Sequence, residues 1–198
     1  MKQTQRKFVV FSSLVAVLTL TSALLLALAP APLTPDATSS LFAIDAPDSM
    51  DVIFRTAAPT KADRWNYIYV HQSRTTGGNA LTLSQRPGGL GDHFVIGNGD
   101  GAIDGEIQVA ARWDAQLAAA PPPGAASINA DCISICVIGD FGRSRPTPTQ
   151  LRRLSQLVTT LQARYRIPAD RVMLVPSDSP AGLGPHFPLP ELRQQLLP

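Results

Sequence analysis

The sequence predicts an α/β domain, a central mixed β-sheet flanked by helices, preceded by an N-terminal hydrophobic helix. Three observations carry this. Short β-rich runs alternate with helical segments through the second half of the chain. A helical period starting at Pro148 is marked at its N-terminus by a capping box. Residues 8–29 form an apolar run of 22 residues without a charge or a proline, and about 20 suffice to span a bilayer.

That run follows Lys2, Arg6 and Lys7 and precedes a segment whose charges are all acidic as far as Asp51. Basic residues stay on the cytoplasmic side, so the rest of the chain is expected outside the cytoplasm, in the cell envelope. Two readings of residues 1–29 stay open. The apolar run is longer than the core of a signal peptide, which favours a membrane anchor. Ala27-Leu28-Ala29 has the small-x-small form of a cleavage site, although Pro30 follows it directly. Residues 30–51 hold four prolines among small polar residues and read as a linker, which leaves residues 52–198 as the folded domain.

Within the domain, Trp65–Val70 is β-rich without clean alternation, as in a strand covered on both faces. His93–Ile96 is a second strand, stopped by the turn cluster Gly97–Gly101. Asp104–Trp113 reads as its return strand, because Ile107 and Val109 alternate with Glu106, Gln108 and Ala110. Residues 118–126 are a proline-rich loop. Cys132–Ile138 is the strongest buried strand, and Val172–Val175 is a shorter one. Between them, Thr147 caps a helix from Pro148 to about Tyr165, with Gln150 completing a capping box. Leu151, Leu154, Leu157, Val158, Leu161 and Tyr165 fall on one face of it. A short helix over Pro190–Leu197 closes the chain.

Composition narrows the function. The 17 Lys and Arg residues against 15 Asp and Glu give a net charge of +2, but three of the basic residues sit in the N-terminal tip. The remainder is close to neutral, so nucleic acid is not an expected partner. Three histidines and two cysteines leave little material for a metal site. Cys132 and Cys136 lie four residues apart on one strand, about 13 Å at about 3.3 Å per residue, too far for a disulfide. They are expected to be buried thiols, and a C-x₃-C metal site would need partners, of which the sequence supplies none.

Five segments in order carry a family resemblance. Trp65-Asn-Tyr-Ile-Tyr-Val-His-Gln-Ser73 is similar to W-x-x-I-x-I-H-H-S/T, the opening strand of zinc-dependent N-acetylmuramoyl-L-alanine amidases and peptidoglycan recognition proteins. Asp92-His-Phe-Val-Ile-Gly-Asn-Gly-Asp-Gly101 resembles Y-H-F-x-I-x-x-D-G, and Ile133-Ser-Ile-Cys-Val-Ile-Gly-Asp-Phe141 resembles S-I-G-I-x-x-x-G-x-F. Pro146-Thr-Pro-Thr-Gln150 looks like the helix opening P-T-x-x-Q, and Gly184-Pro-His-Phe-Pro188 like the end of C-P-G-x-x-F-P.

The resemblance implies cleavage of the amide between the muramic acid lactyl group and L-alanine, by a water on zinc held by two histidines and a cysteine. Carried over residue by residue, only His71 stands at a ligand position. The second falls on Pro176 and the third on Gly182, neither of which offers a side-chain ligand. The assisting tyrosine is replaced by Asp92, the lysine by Pro180, and the glutamate of a related branch by Cys136. Zinc is therefore not expected as a cofactor, and no catalytic residue is assigned. Asp92, Asp178 and His186 are the candidates for substrate contact. Convergence of His71, His186 and Asp178 on a metal would need the last loop to move by several ångströms; the simpler reading of His71 is a strand-end histidine bonded to backbone. Three functions follow from the resemblance: a peptidoglycan- or muropeptide-binding domain without hydrolysis, an amidase with rearranged ligands, or a structural and interaction domain.

Overall fold

The computed structural model describes residues 47–61, 63–120, 130–174 and 182–198. The expected N-terminal helix, most of the linker, Val175, Pro176, Asp178 and Pro180 lie outside them. Among the described residues, no helix is long and apolar enough to cross a membrane.

The described strands form a mixed five-stranded sheet. They are β1 (Tyr67–Gln72), β2 (Phe94–Ile96), β3 (Ile107–Val109), β4 (Cys132–Val137) and β5 (Val172–Leu174). Their order is β3-β2-β4-β1-β5, with β4 in the middle as its continuous apolar run requires. β1 runs parallel to β4 and β5, β2 runs parallel to β4, and only the β2–β3 pair is antiparallel.

The first strand starts two residues later than the sequence suggests. The backbone N–H groups of Asn66 and Tyr67 both reach the Asp131 carbonyl, so pairing begins there. Trp65 instead turns wholly into the core, stacks on Trp113 at 5.6 Å between centroids and donates from Nε1 to Gln116 Oε1 at 2.9 Å.

The return strand is a correction. Only Ile107–Val109 pairs with β2, and Ala111–Asp114 forms a short helix in place of the expected strand end. β2 is only three residues long, so the ladder runs out, and the turn lets Trp113 enter the core, where Nε1 donates to the Ile53 carbonyl at 2.6 Å. Gln108 is buried as well, its Oε1 accepting from the Ala80 backbone at 2.7 Å. That bond belongs to a further helix, α1 (Ala80–Ser84), which the sequence reading lacks. Its signal is present: Asn79 and Thr82 form a reciprocal capping box, with Thr in the place usually held by Glu or Gln. The Ala111–Asp114 helix is α2.

The long helix α3 (Pro148–Tyr165) has the limits and the Thr147–Gln150 capping box that the sequence implies. Leu154, Leu157, Val158 and Leu161 are fully buried against Ile133, Ile135 and Val137 of β4 in the main core. Met50 and Ile53, from a 3₁₀ helix over Pro47–Phe54, join the same core. α4 (Leu189–Arg193) is shorter than expected at its C-terminal end. Side chains alternate along a strand, so Cys132, Ser134 and Cys136 face away from α3. There Cys136 packs with Ala80, Leu83, Val95 and Ile138 in a second, smaller cluster.

Candidate functional site

The site is built on the sheet face opposite α3. In the parallel register, Tyr69 lies beside Ser134, and His71 beside Cys136. Val95 of β2 flanks Cys136 from the other side. Asp92 arrives on the loop just before β2, held in place because the next backbone N–H, that of His93, donates to the Ser134 carbonyl at 3.0 Å.

The result is a buried polar cluster. His71 Nε2 stands 2.7 Å from Asp92 Oδ1, with side-chain exposures of 6% and 9%. The Ser134 hydroxyl donates to the same carboxylate oxygen. His71 Nδ1 lies 3.1 Å from the Gln72 carbonyl, so both ring nitrogens face acceptors and the imidazolium satisfies both. Burial alone would lower the His71 pKa, but the charge and hydrogen bond of Asp92 outweigh it and hold the ring above its ordinary 6.5. Burial likewise opposes the Asp92 carboxylate, yet His71 and Ser134 hold it below its ordinary value. Burial pushes the Cys136 thiol well up, and the Asp92 charge pushes it further, so it is a neutral thiol. The Tyr69 ring lies 5.4 Å from that of His71. Its hydroxyl is buried without a hydrogen-bond partner among the described residues, its pKa raised to about 12 by burial first and by Asp92 second.

The structure thus joins two of the sequence candidates and separates the others. His71 bonds backbone, as expected, but also a carboxylate. Asp92, a candidate for substrate contact, is only 6% exposed, because the imidazolium and the Ser134 hydroxyl draw it into the sheet face. His186 is exposed, and its backbone N–H donates to the Phe141 carbonyl at 3.0 Å. Asp178 lies outside the described residues. His93 is structural: its ring packs edge-on against Trp65 and Trp113, with Nε2 on the Leu117 carbonyl and Nδ1 accepting from the Ser134 backbone.

Cys132 and Cys136 are free buried thiols. The lack of partners for Cys136 is corrected by the fold. Among the described residues, His71, Asp92 and Cys136 form the one group of three potential metal ligands, with ligand atoms all within 4.8 Å of one another. His186 is not part of it.

Gln72, which the sequence reading passes over, ties the end of β1 to two other segments. Its Oε1 accepts from the Phe141 backbone at 2.5 Å, and its Nε2 donates to the Gly182 carbonyl at 2.7 Å. Phe141 and Phe187 then pack ring to ring at 5.3 Å.

A family model described as N-acetylmuramoyl-L-alanine amidase matches residues 61–184, more than half of the chain. The chain belongs to the N-acetylmuramoyl-L-alanine amidase family. Similar solved structures include the N-acetylmuramoyl-L-alanine amidase LysC from Clostridium intestinale URNW, 22% identical, covering 71% of this chain and 91% of that one with a TM-score of 0.46. A selenomethionine AmpD derivative is 20% identical over 68% of this chain and 87% of its own, with a TM-score of 0.46. The PGRP-Hd from Alvinella pompejana is 17% identical over 81% and 93%, with a TM-score of 0.43. Comparison with the curated proteins finds no match.

The residues of this amidase-family chain do not fit the zinc ligand set that the resemblance implies. Gly182 has no side chain, and its carbonyl is engaged by Gln72. Position 176 is a proline. His71, the remaining member, is bonded on both ring nitrogens. What the cluster can do is hold a carboxylate, an imidazole and a thiol together in a dry environment.

Proposed function

We propose that this amidase-family domain binds peptidoglycan or muropeptides in the cell envelope without hydrolysing them, tethered to the cytoplasmic membrane through residues 8–29. The observation that carries the reading is the closed His71–Asp92 pair: the one retained ligand position is neutralised by a carboxylate inside the sheet face. A hydrolase that activates water on a metal needs an open coordination position, and Gly182 and Pro176 supply no ligands toward one. Binding needs shape and hydrogen bonds only. Asp178 and the exposed His186 are the groups that we assign to contact with the muropeptide.

The test is sedimentation of the full-length chain with insoluble peptidoglycan, followed by analysis of the supernatant for released stem peptides, with and without added Zn²⁺. The expected result is co-sedimentation, weakened by Asp178→Asn or His186→Ala, with no peptide released. Release of stem peptides would establish an active amidase instead. Absence of co-sedimentation would leave a structural or interaction domain. Fractionation checks the tether: release of the uncleaved chain by high salt without detergent contradicts it.

A further inference from the structure

We infer that Gln72 is a positioning residue for ligand binding: its side-chain amide sets where His186 stands, because both residues are bonded to the backbone of Phe141. The inference rests on the assignment of His186 to muropeptide contact and adds the residue that holds this contact in place.

Gln72 ends β1, one residue after His71. Side chains alternate along a strand, so its amide leaves the sheet on the face opposite the imidazole. There it is buried, 7% exposed, and both ends of the amide are used. Oε1 accepts from the Phe141 N–H at 2.5 Å, and Nε2 donates to the Gly182 carbonyl at 2.7 Å.

Two routes lead from this amide to His186. The first passes through Phe141, whose N–H goes to Gln72 and whose carbonyl accepts from the His186 N–H at 3.0 Å. The second passes along the chain from Gly182, through a turn closed by the Phe187 N–H on the Gly184 carbonyl at 3.3 Å. Leu183 and Phe187 are buried in the main core, with the Phe187 ring on that of Phe141, while Pro185 and His186 are exposed. The segment thus buries its apolar side chains and presents His186 to solvent.

Among the described residues, no hydrogen bond or ion pair holds the His186 ring, so its backbone alone places it. Without the Gln72 amide, a buried N–H and a buried carbonyl lose their partners, and the segment must shift to satisfy them. A ligand that touches His186 would then have to order the segment as it binds, and that ordering is subtracted from affinity.

The domain contains its own control. Gln162, 2% exposed, fastens the end of the chain in the same manner, with Nε2 donating to the Ile167 and Leu197 carbonyls and Oε1 accepting from the Leu197 N–H, each at 3.0 Å. Among the described residues, none of its bonds reaches residues 182–187.

The test measures sedimentation of the full-length chain over a titration of insoluble peptidoglycan, for the wild type, Gln72→Met, Gln162→Met, His186→Ala and the pair Gln72→Met with His186→Ala. Thermal melts check that each variant is folded. Gln72→Met should weaken binding by about 2- to 30-fold, the range usual for a residue that acts on a site without touching the ligand. Gln162→Met should leave binding unchanged even though it lowers the melting temperature. Added to His186→Ala, Gln72→Met should cost less than about 2-fold more, since the two act through one contact. Amide hydrogen exchange at His186 should speed up in Gln72→Met and not in Gln162→Met. A wild type that does not sediment refutes the muropeptide reading and this inference with it. A wild type that sediments, with no loss in Gln72→Met, an equal loss in Gln162→Met, a full further loss on top of His186→Ala, or unchanged exchange at His186, overturns the positioning role alone.

Discussion

Replacing Asp92 with asparagine removes the charge opposite His71 while keeping the shape of the side chain. At 2.7 Å and an effective dielectric of about 20, the Coulomb attraction is about 6 kcal/mol before desolvation is counted. Measured losses on breaking a buried pair run at about 3–5 kcal/mol, because the surviving partner is left uncompensated. The amide oxygen can still accept from Ser134, so the lower half of that range, about 3–4 kcal/mol, is expected for Asp92→Asn. Urea denaturation at pH 6 with chelator present measures it, alongside His71→Gln and the double variant. The two single losses should exceed the double by at least about 2 kcal/mol, the signature of direct coupling. The pH dependence has a definite sign. Asp92 is held below its ordinary value, so its contribution is present above that value and is lost as pH falls through the folded pKa. His71 is held above 6.5, so its contribution is present below 6.5 and is lost as pH rises through the folded pKa. The cost of Asp92→Asn should therefore be greatest between these limits. In the variant, burial dominates and the His71 resonances should titrate below 6.5. A cost under about 1 kcal/mol, or an unchanged His71 titration, refutes the pair as a buried ion pair.

Other predictions follow from other parts of the fold. Gly184 has φ +82°, and a Cβ there would meet the Phe141 carbonyl carbon at 2.5 Å, so Gly184→Ala should cost at least about 2 kcal/mol by thermal or urea melts. Thr147→Ala removes both the α3 cap and the bond from Oγ1 to Asp104, and should cost about 1–2 kcal/mol. His93 is fully buried, and burial pushes its pKa down to about 4. The unfolded chain therefore takes up a proton between pH 6.5 and about 4 that the folded chain refuses, and stability should fall by about 3 kcal/mol as pH drops through that window. Chemical denaturation across the range checks it, and His93→Gln should flatten the dependence.

The parts of the fold legible in the sequence are those whose signals are local. Thr147, Pro148 and Gln150 mark the start of α3 within four residues, and its apolar face repeats for five turns. The run Cys132–Val137 needs no context to read as a central strand. The Ile107–Val109 alternation was real, but where it stops depends on the length of β2 and on the place Trp113 takes in the core. α1 is not legible from its sequence because five residues are too few to show a period, leaving only the Asn79–Thr82 cap as a marker. The site divides in the same way. His71 and Asp92 both stand out as residues, yet their bond joins positions 21 apart, and Cys136 reaches His71 only through the parallel register of β1 and β4. Spacing along the chain cannot express that meeting.

The amide of Gln72 has a consequence for how the C-terminal segment keeps its place. Two hydrogen bonds from one uncharged side chain fasten the end of β1 to Phe141 and to Gly182. An amide neither titrates in the physiological range nor requires a cation. The docking of this segment is thus indifferent to acidity, and a change of pH across the physiological range leaves these two bonds in place.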